Sequence, residues 1–186
     1  FREVKTVVLN GPTGVAYARA KAHESVSPEI EIIAATDGDT FLTKKWLEKL
    51  TKPFENERVV ATGGIVYFSN SIYANLMTLS FFFLDPLLKM NHLFYFWGAS
   101  HAFRKSVYEK SGGLEKLPEI KEELGLHYWV DDLYLSLLLG KIGKVLPAKN
   151  SVVWTMAPKL SARQWLQRGA WQDEDRAKIF KYFGLE

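Results

Sequence analysis

The sequence predicts an α/β fold, a sheet with helices on its faces, and three observations carry that prediction. Strand-like apolar runs alternate with helical runs along the whole chain. The run Ile30–Thr36 holds consecutive Ile32, Ile33, Ala34 and Ala35, the pattern of a strand covered on both faces. Finally, 47% hydrophobic residues over 186 positions suffice for one domain with a real core and are too many for a disordered chain.

The elements follow in order. Val4–Leu9 reads as a strand, and Asn10-Gly11-Pro12-Thr13-Gly14 as the turn into a helix from Val15 to Ser25. After the buried strand Ile30–Thr36, a helix over Thr43–Lys52 stops before Pro53. Arg58–Phe68 is a strand containing Gly63-Gly64, and Ile72–Leu84 a helix. Phe94–Phe103 is strand-like, and Lys105–Ser111 is a short helix ended by Gly112-Gly113. Val130–Leu139 is helical, Lys144–Ala148 and Ser151–Thr155 are strands, and Ala162–Tyr182 is a long amphipathic helix.

Composition excludes several classes of function. With no cysteine there is neither a disulfide scaffold nor a thiolate nucleophile or metal site. A net charge of +3 gives no case for nucleic-acid binding. The most lipid-like stretch, Leu76–Trp97, is broken by Asp85, Pro86, Lys89, Asn91 and His92, short of the about 20 apolar residues that a spanning helix needs.

Ligands of α/β sheets bind beyond the carboxyl ends of strands, and Asp37-Gly38-Asp39 stands at such an end. Two carboxylates one glycine apart can converge on a hard divalent cation, magnesium or manganese, which would take up charge on a departing diphosphate. The same triplet also fits a surface turn, with Asp39 or Thr40 capping the next helix. Asp131-Asp132 offers a second acidic pair. Either residue could act as a general base, with mutual repulsion favouring one proton, or could cap an apolar helix.

These segments occur in a familiar order. Gly14-x-x-x-Ala18-Arg19, then Glu31 to Asp39, then Trp46-Leu47-Glu48 resemble family 2 glycosyltransferases, with Ala20 where the family usually has Asn. Gly98-Ala99-Ser100-His101-Ala102-Phe103-Arg104 is similar to the family's G-x-x-x-A-F-R segment, Gly112-Gly113-Leu114 to its G-G-F/L, and Asp131-Asp132-Leu133-Tyr134-Leu135-Ser136-Leu137 to its E-D-x-x-L-x-L. Gln167-Arg168-Gly169-Ala170-Trp171 resembles the Q-x-x-R-W of polysaccharide-synthase and ceramide-glucosyltransferase branches, with Ala170 at the arginine position.

The resemblance implies a GT-A-like mixed sheet and a metal-dependent, inverting transfer of a sugar from a nucleotide-sugar donor to a lipid or glycan hydroxyl. It assigns Asp132 as general base, Asp131 as its acidic neighbour, and Asp37 and Asp39 as ligands of Mg2+ or Mn2+. Arg19, Asp37 and Arg168 would face the donor, and Gly98, Ala99, Ser100 and Trp171 the acceptor. It divides the chain into a metal and donor half (1–68), an acceptor half (69–160) and an amphipathic C-terminal helix (161–184).

The non-Met start and the absence of the family's first nucleotide-binding strands before Val4 lead us to expect a catalytic domain lacking its N-terminal base-reading part, weak in donor binding when isolated. Phe81-Phe82-Phe83-Leu84, together with Arg163, Arg168, Arg176, Lys178 and Lys181, suggest a membrane surface as partner and a location at its cytoplasmic face. Two other readings stay open: a glycoside hydrolase, which also uses paired carboxylates, and a non-catalytic carbohydrate- or membrane-binding module.

Overall fold

The computed structural model describes residues 4–10, 14–72, 74–76, 78, 96–128, 130–157 and 162–185. Phe81–Leu84 and most of the expected helix over 72–84 lie outside them, as do the side chains of Arg163, Trp165 and Leu166.

Five strands, β1 (Ile32–Ala35), β2 (Phe41–Leu42), β3 (Val59–Phe68), β4 (His101–Arg104) and β5 (Lys144–Thr155), form one sheet in the order β1-β4-β3-β5-β2. The β3–β5 pairing is parallel and the others are antiparallel. The helices named among the described residues are α1 (Val15–Glu24), α2 (Trp46–Thr51), α3 (Lys105–Ser111), α4 (Leu117–Leu124), α5 (Asp131–Gly140) and α6 (Ala162–Tyr182), and a 3-10 turn, Lys52–Glu55, carries the expected Pro53.

Both faces of the sheet are covered. One core joins Ile33 and Phe103 to Ala16 and Ala20 of α1, Leu133 to Leu139 of α5 and Ile179 of α6. The other joins Val59, Val66, Ala102 and Val153 to Trp46, Leu50 and Phe54. Ile33 faces the first core and its neighbours Ile32 and Ala34 the second, so the unbroken apolar run reads as it should for a two-faced strand.

Three expected elements change. Residues 4–10 form no strand; Val4 and Val8 are exposed and make no ladder, because an apolar run becomes a strand only beside a partner. Residues 94 and 95 of the expected strand over 94–103 lie outside the described residues. Of the rest only His101–Phe103 belong to a strand, β4, since Trp97 to Ser100 turns tightly, with the Ser100 N–H donating to the Trp97 carbonyl at 3.1 Å. The two expected strands 144–148 and 151–155 are one strand with an irregular register. Gly64 pairs with Ala148 but Ile65 pairs with Val152, leaving the residues between them to bulge.

Gly64 sits against that bulge. A Cβ there would lie 2.9 Å from the Ser151 carbonyl oxygen and collide with the Ser100 hydroxyl. Gly112 ends α3 in the left-handed conformation (φ 80°), as the Gly-Gly pair suggested. Among the described residues no helix is long and apolar enough to cross a membrane.

Candidate active site

One cavity of about 440 Å3 opens beyond the carboxyl end of β1. Val15, Arg19, Asp37, Asp39, Gly98, Ala99, Asp131 and Asp132 line it, with Val66, Phe68, Trp97, Thr155 and Met156. The sequence motifs therefore meet, although they are up to 117 positions apart (Val15 to Asp132).

Arg19 is the hub. Its guanidinium donates to Asp37 at the end of β1 and to Asp131 at the start of α5. Two carboxylates of different motifs are thus held by one planar cation, a geometry suited to arginine. The guanidinium lies against the Gly98 backbone, where a Cβ would come within 2.8 Å of its central carbon. Thr36 ties the same corner by donating its hydroxyl to the Ala99 carbonyl at 2.9 Å.

Asp131 and Asp132 lie in the first turn of α5, but its N-cap is Val130 and no side chain makes the capping bond that the alternative reading expected. One carboxylate oxygen of Asp132 accepts the Leu133 N–H at 2.8 Å, while the other accepts the Gly98 N–H at 3.3 Å at the cavity wall. Burial, then the Asp131 charge, pushes its pKa up to about 6 against the pull of those two N–H groups and Arg19. Burial also raises Asp131, with Arg19 working in the opposite direction. The capping alternative for Asp39 and Thr40 fails. They precede β2, and α2 begins at Trp46 with Lys45 as its N-cap. Asp39 is exposed at the cavity and Asp37 half-buried.

The remaining assigned residues go elsewhere. Ser100 is fully buried, and its hydroxyl accepts the Trp46 indole N–H at 2.9 Å, which makes it a brace between α2 and the Gly98 turn. Trp171 stacks on His127 with ring centroids 5.2 Å apart, and the Arg168 guanidinium sits 5.5 Å from the Tyr128 ring centre. Neither lines the cavity. Ala20 packs in the core, where the family's asparagine would have no water. Among the described residues no group of three or more His, Asp and Glu side chains is placed to hold a metal by itself.

Two supports were missed. The Ser136 hydroxyl donates to the Asp132 carbonyl at 2.6 Å and accepts the Phe96 N–H at 3.0 Å, tying α5 to the turn that holds Gly98. Its place one helical turn after Asp132 was the available signal. His101 is buried with Nδ1 3.1 Å from the Gly98 carbonyl, so Nδ1 carries the proton. Burial, then Arg19 and His23, lowers His101 to about 3, and the ring is neutral. No sequence pattern distinguished it from an ordinary core residue.

Residues 1–112 match the profile described as Glycosyl transferase family 2, and the chain belongs to that family. The curated protein sequences contain no match. The fold is similar to the mannosyltransferase PcManGT of Pyrobaculum calidifontis, solved in complex with GDP-Man and Mn2+ (TM-score 0.59, 17% identity), over 91% of this chain and 44% of that one. It is also similar to glucosyl-3-phosphoglycerate synthase of Mycobacterium tuberculosis, solved with Mn2+, UDP-glucose and phosphoglyceric acid (TM-score 0.51, 14% identity), over 96% of this chain and 57% of that one. The chain spans about half the length of these proteins and shares their GT-A architecture.

Proposed function

We propose that this chain transfers a sugar, with inversion, from a nucleoside-diphosphate donor to a hydroxyl acceptor. The observation that carries the reading is the gathering of Asp37, Asp39, Arg19 and the Asp131-Asp132 pair around one cavity. Family membership and the metal and nucleotide-sugar complexes of the two similar structures point the same way.

The residues fit a hard divalent cation of the Mn2+ or Mg2+ kind. Asp39 and Asp37 offer hard oxygens at the cavity, and such ions take one or two protein carboxylates when substrate phosphates and water complete the shell. A cation held there would supply positive charge against the departing diphosphate. The chain's own groups account for the rest. Asp132 accepts the proton of the acceptor hydroxyl as that oxygen bonds to the anomeric carbon, and the bond from carbon to phosphate oxygen breaks with its electrons leaving on the diphosphate. With Asp132 as base and no separate nucleophile, a single displacement inverts the centre. Arg19 pairs with Asp131 and works against the burial that raises its pKa, which leaves Asp132, the carboxylate of the pair with no cationic partner among the described residues, to accept the proton.

The apolar part of the lining, Val15, Val66, Phe68, Trp97 and Met156, supports a lipid or glycan acceptor. The exposed Ile72 and Leu76 support a lipid-facing surface on this chain. The reading is tested by incubating the full-length protein with uridine and guanosine diphosphate sugars, Mn2+ or Mg2+ and candidate lipid and glycan acceptors. Release of nucleoside diphosphate that stops with chelator and falls at least about 100-fold in Asp39→Asn is expected. Cleavage of a glycan with no nucleotide present would overturn it in favour of a hydrolase.

A further inference from the structure

α6 carries a fully buried carboxylate, Asp175, which the proposed chemistry does not use. It accepts the backbone N–H groups of His127 at 3.0 Å and Tyr128 at 2.9 Å, and the His127 ring nitrogen Nδ1 lies 3.1 Å away. Burial works against its charge, but these donors prevail and hold it below the usual carboxylate range. Three more groups of α6 grip the same segment. Trp171 lies parallel to the His127 ring (interplanar angle 7°), Arg168 covers Tyr128, and Lys178 donates to the Gly125 carbonyl at 3.0 Å. Positions 168, 171, 175 and 178 are spaced three, four and three apart, one face of a helix. The gripped segment, 125–128, runs into Asp131 and Asp132 within a few residues.

We propose that α6 is a positioning element for the general base: Asp175, with Trp171 and Lys178, fixes the segment ahead of α5 and thereby the place of Asp132 at the cavity wall. The inference rests on the reading of Asp132 as base. A carboxylate buried only to join a helix to the core would be a poor choice, since apolar contact does that without desolvating a charge. What a carboxylate adds is a fixed orientation for two backbone N–H groups. The indole of Trp171 gives one face to the His127 ring, which supports an internal role for it in this grip.

The test uses the full-length protein, with hydrogen exchange of the amides of 127 and 128 measured beside steady-state kinetics. In Asp175→Asn those amides should exchange at least about tenfold faster, and kcat should fall about 10- to 100-fold while donor Kd and acceptor KM stay within twofold. Trp171→Leu, a milder change on a half-buried residue, should shift both readouts the same way by about 3- to 10-fold. Faster exchange with unchanged kcat would overturn the proposal, as would a raised acceptor KM at intact kcat in Trp171→Leu, which would return Trp171 to the acceptor. If Asp132→Asn kept its turnover, the base reading would fall by itself; the exchange data would still report whether α6 holds the segment.

Discussion

At the scale of single residues, the site is a set of charges placed against their preferences. Asp132 is a carboxylate with its pKa pushed up to about 6 by burial and by Asp131. A base of that kind is mostly ionised at neutral pH and still basic enough to take a proton. Transfer, as kcat/KM against pH, should rise tenfold per unit below about 6 and level above it; a limb near the ordinary carboxylate pKa would remove the role of burial. The same shift fixes a stability effect. Because the folded pKa lies above the unfolded one, the group favours the fold when protonated, and that contribution is lost as pH rises from about 4 through about 6. Asp132→Asn should therefore be more stable than the parent at pH 7, by at most about 3 kcal/mol. The advantage should vanish near pH 4. Thermal melts at the two pH values check this, and equal differences at both would contradict it.

At the scale of elements, patterns that depend on neighbours along the chain were legible, and those that depend on neighbours in space were not. The apolar run of β1, the Gly-Gly stop of α3 and the start of α5 could be read because burial on two faces, a left-handed cap and helix periodicity leave local marks. Val4–Leu9 carries the same apolar mark but stays outside the sheet, since no ladder partner is written into a strand's own residues. The join of 144–148 to 151–155 was hidden for a related reason: the bulge opposite Gly64 belongs to the β3–β5 pairing, not to either strand. In the sequence Gly63-Gly64 reads only as part of a strand, and the structure shows that Gly64 packs against the bulge. Gly64→Ala should lower stability by about 1–3 kcal/mol, because the Ser151 carbonyl is backbone and cannot swing away. A chemical denaturation curve unchanged in midpoint would show that the bulge yields.

At the scale of the whole molecule, the sheet brings distant segments to one place. Asp37, Arg19, Gly98 and Asp131-Asp132 were each ambiguous as residues, and their order along the chain carried the resemblance. Their convergence needed the fold: Arg19 as a bridge between two acidic motifs follows from α1 lying against the ends of β1 and α5. Ser100 and Trp171 had the right positions in their motifs, but side-chain direction, set by tertiary packing, turned one toward Trp46 and the other onto His127. The central claim is that this convergence makes a base beside a donor site. It is tested most directly in the full-length protein by Asp132→Asn, with calorimetric titration of the nucleotide sugar in the presence of Mn2+ set beside turnover. The account predicts donor affinity within twofold of the parent and turnover lowered by about 10²- to 10⁴-fold. Turnover within tenfold of the parent, with donor still bound, would contradict it.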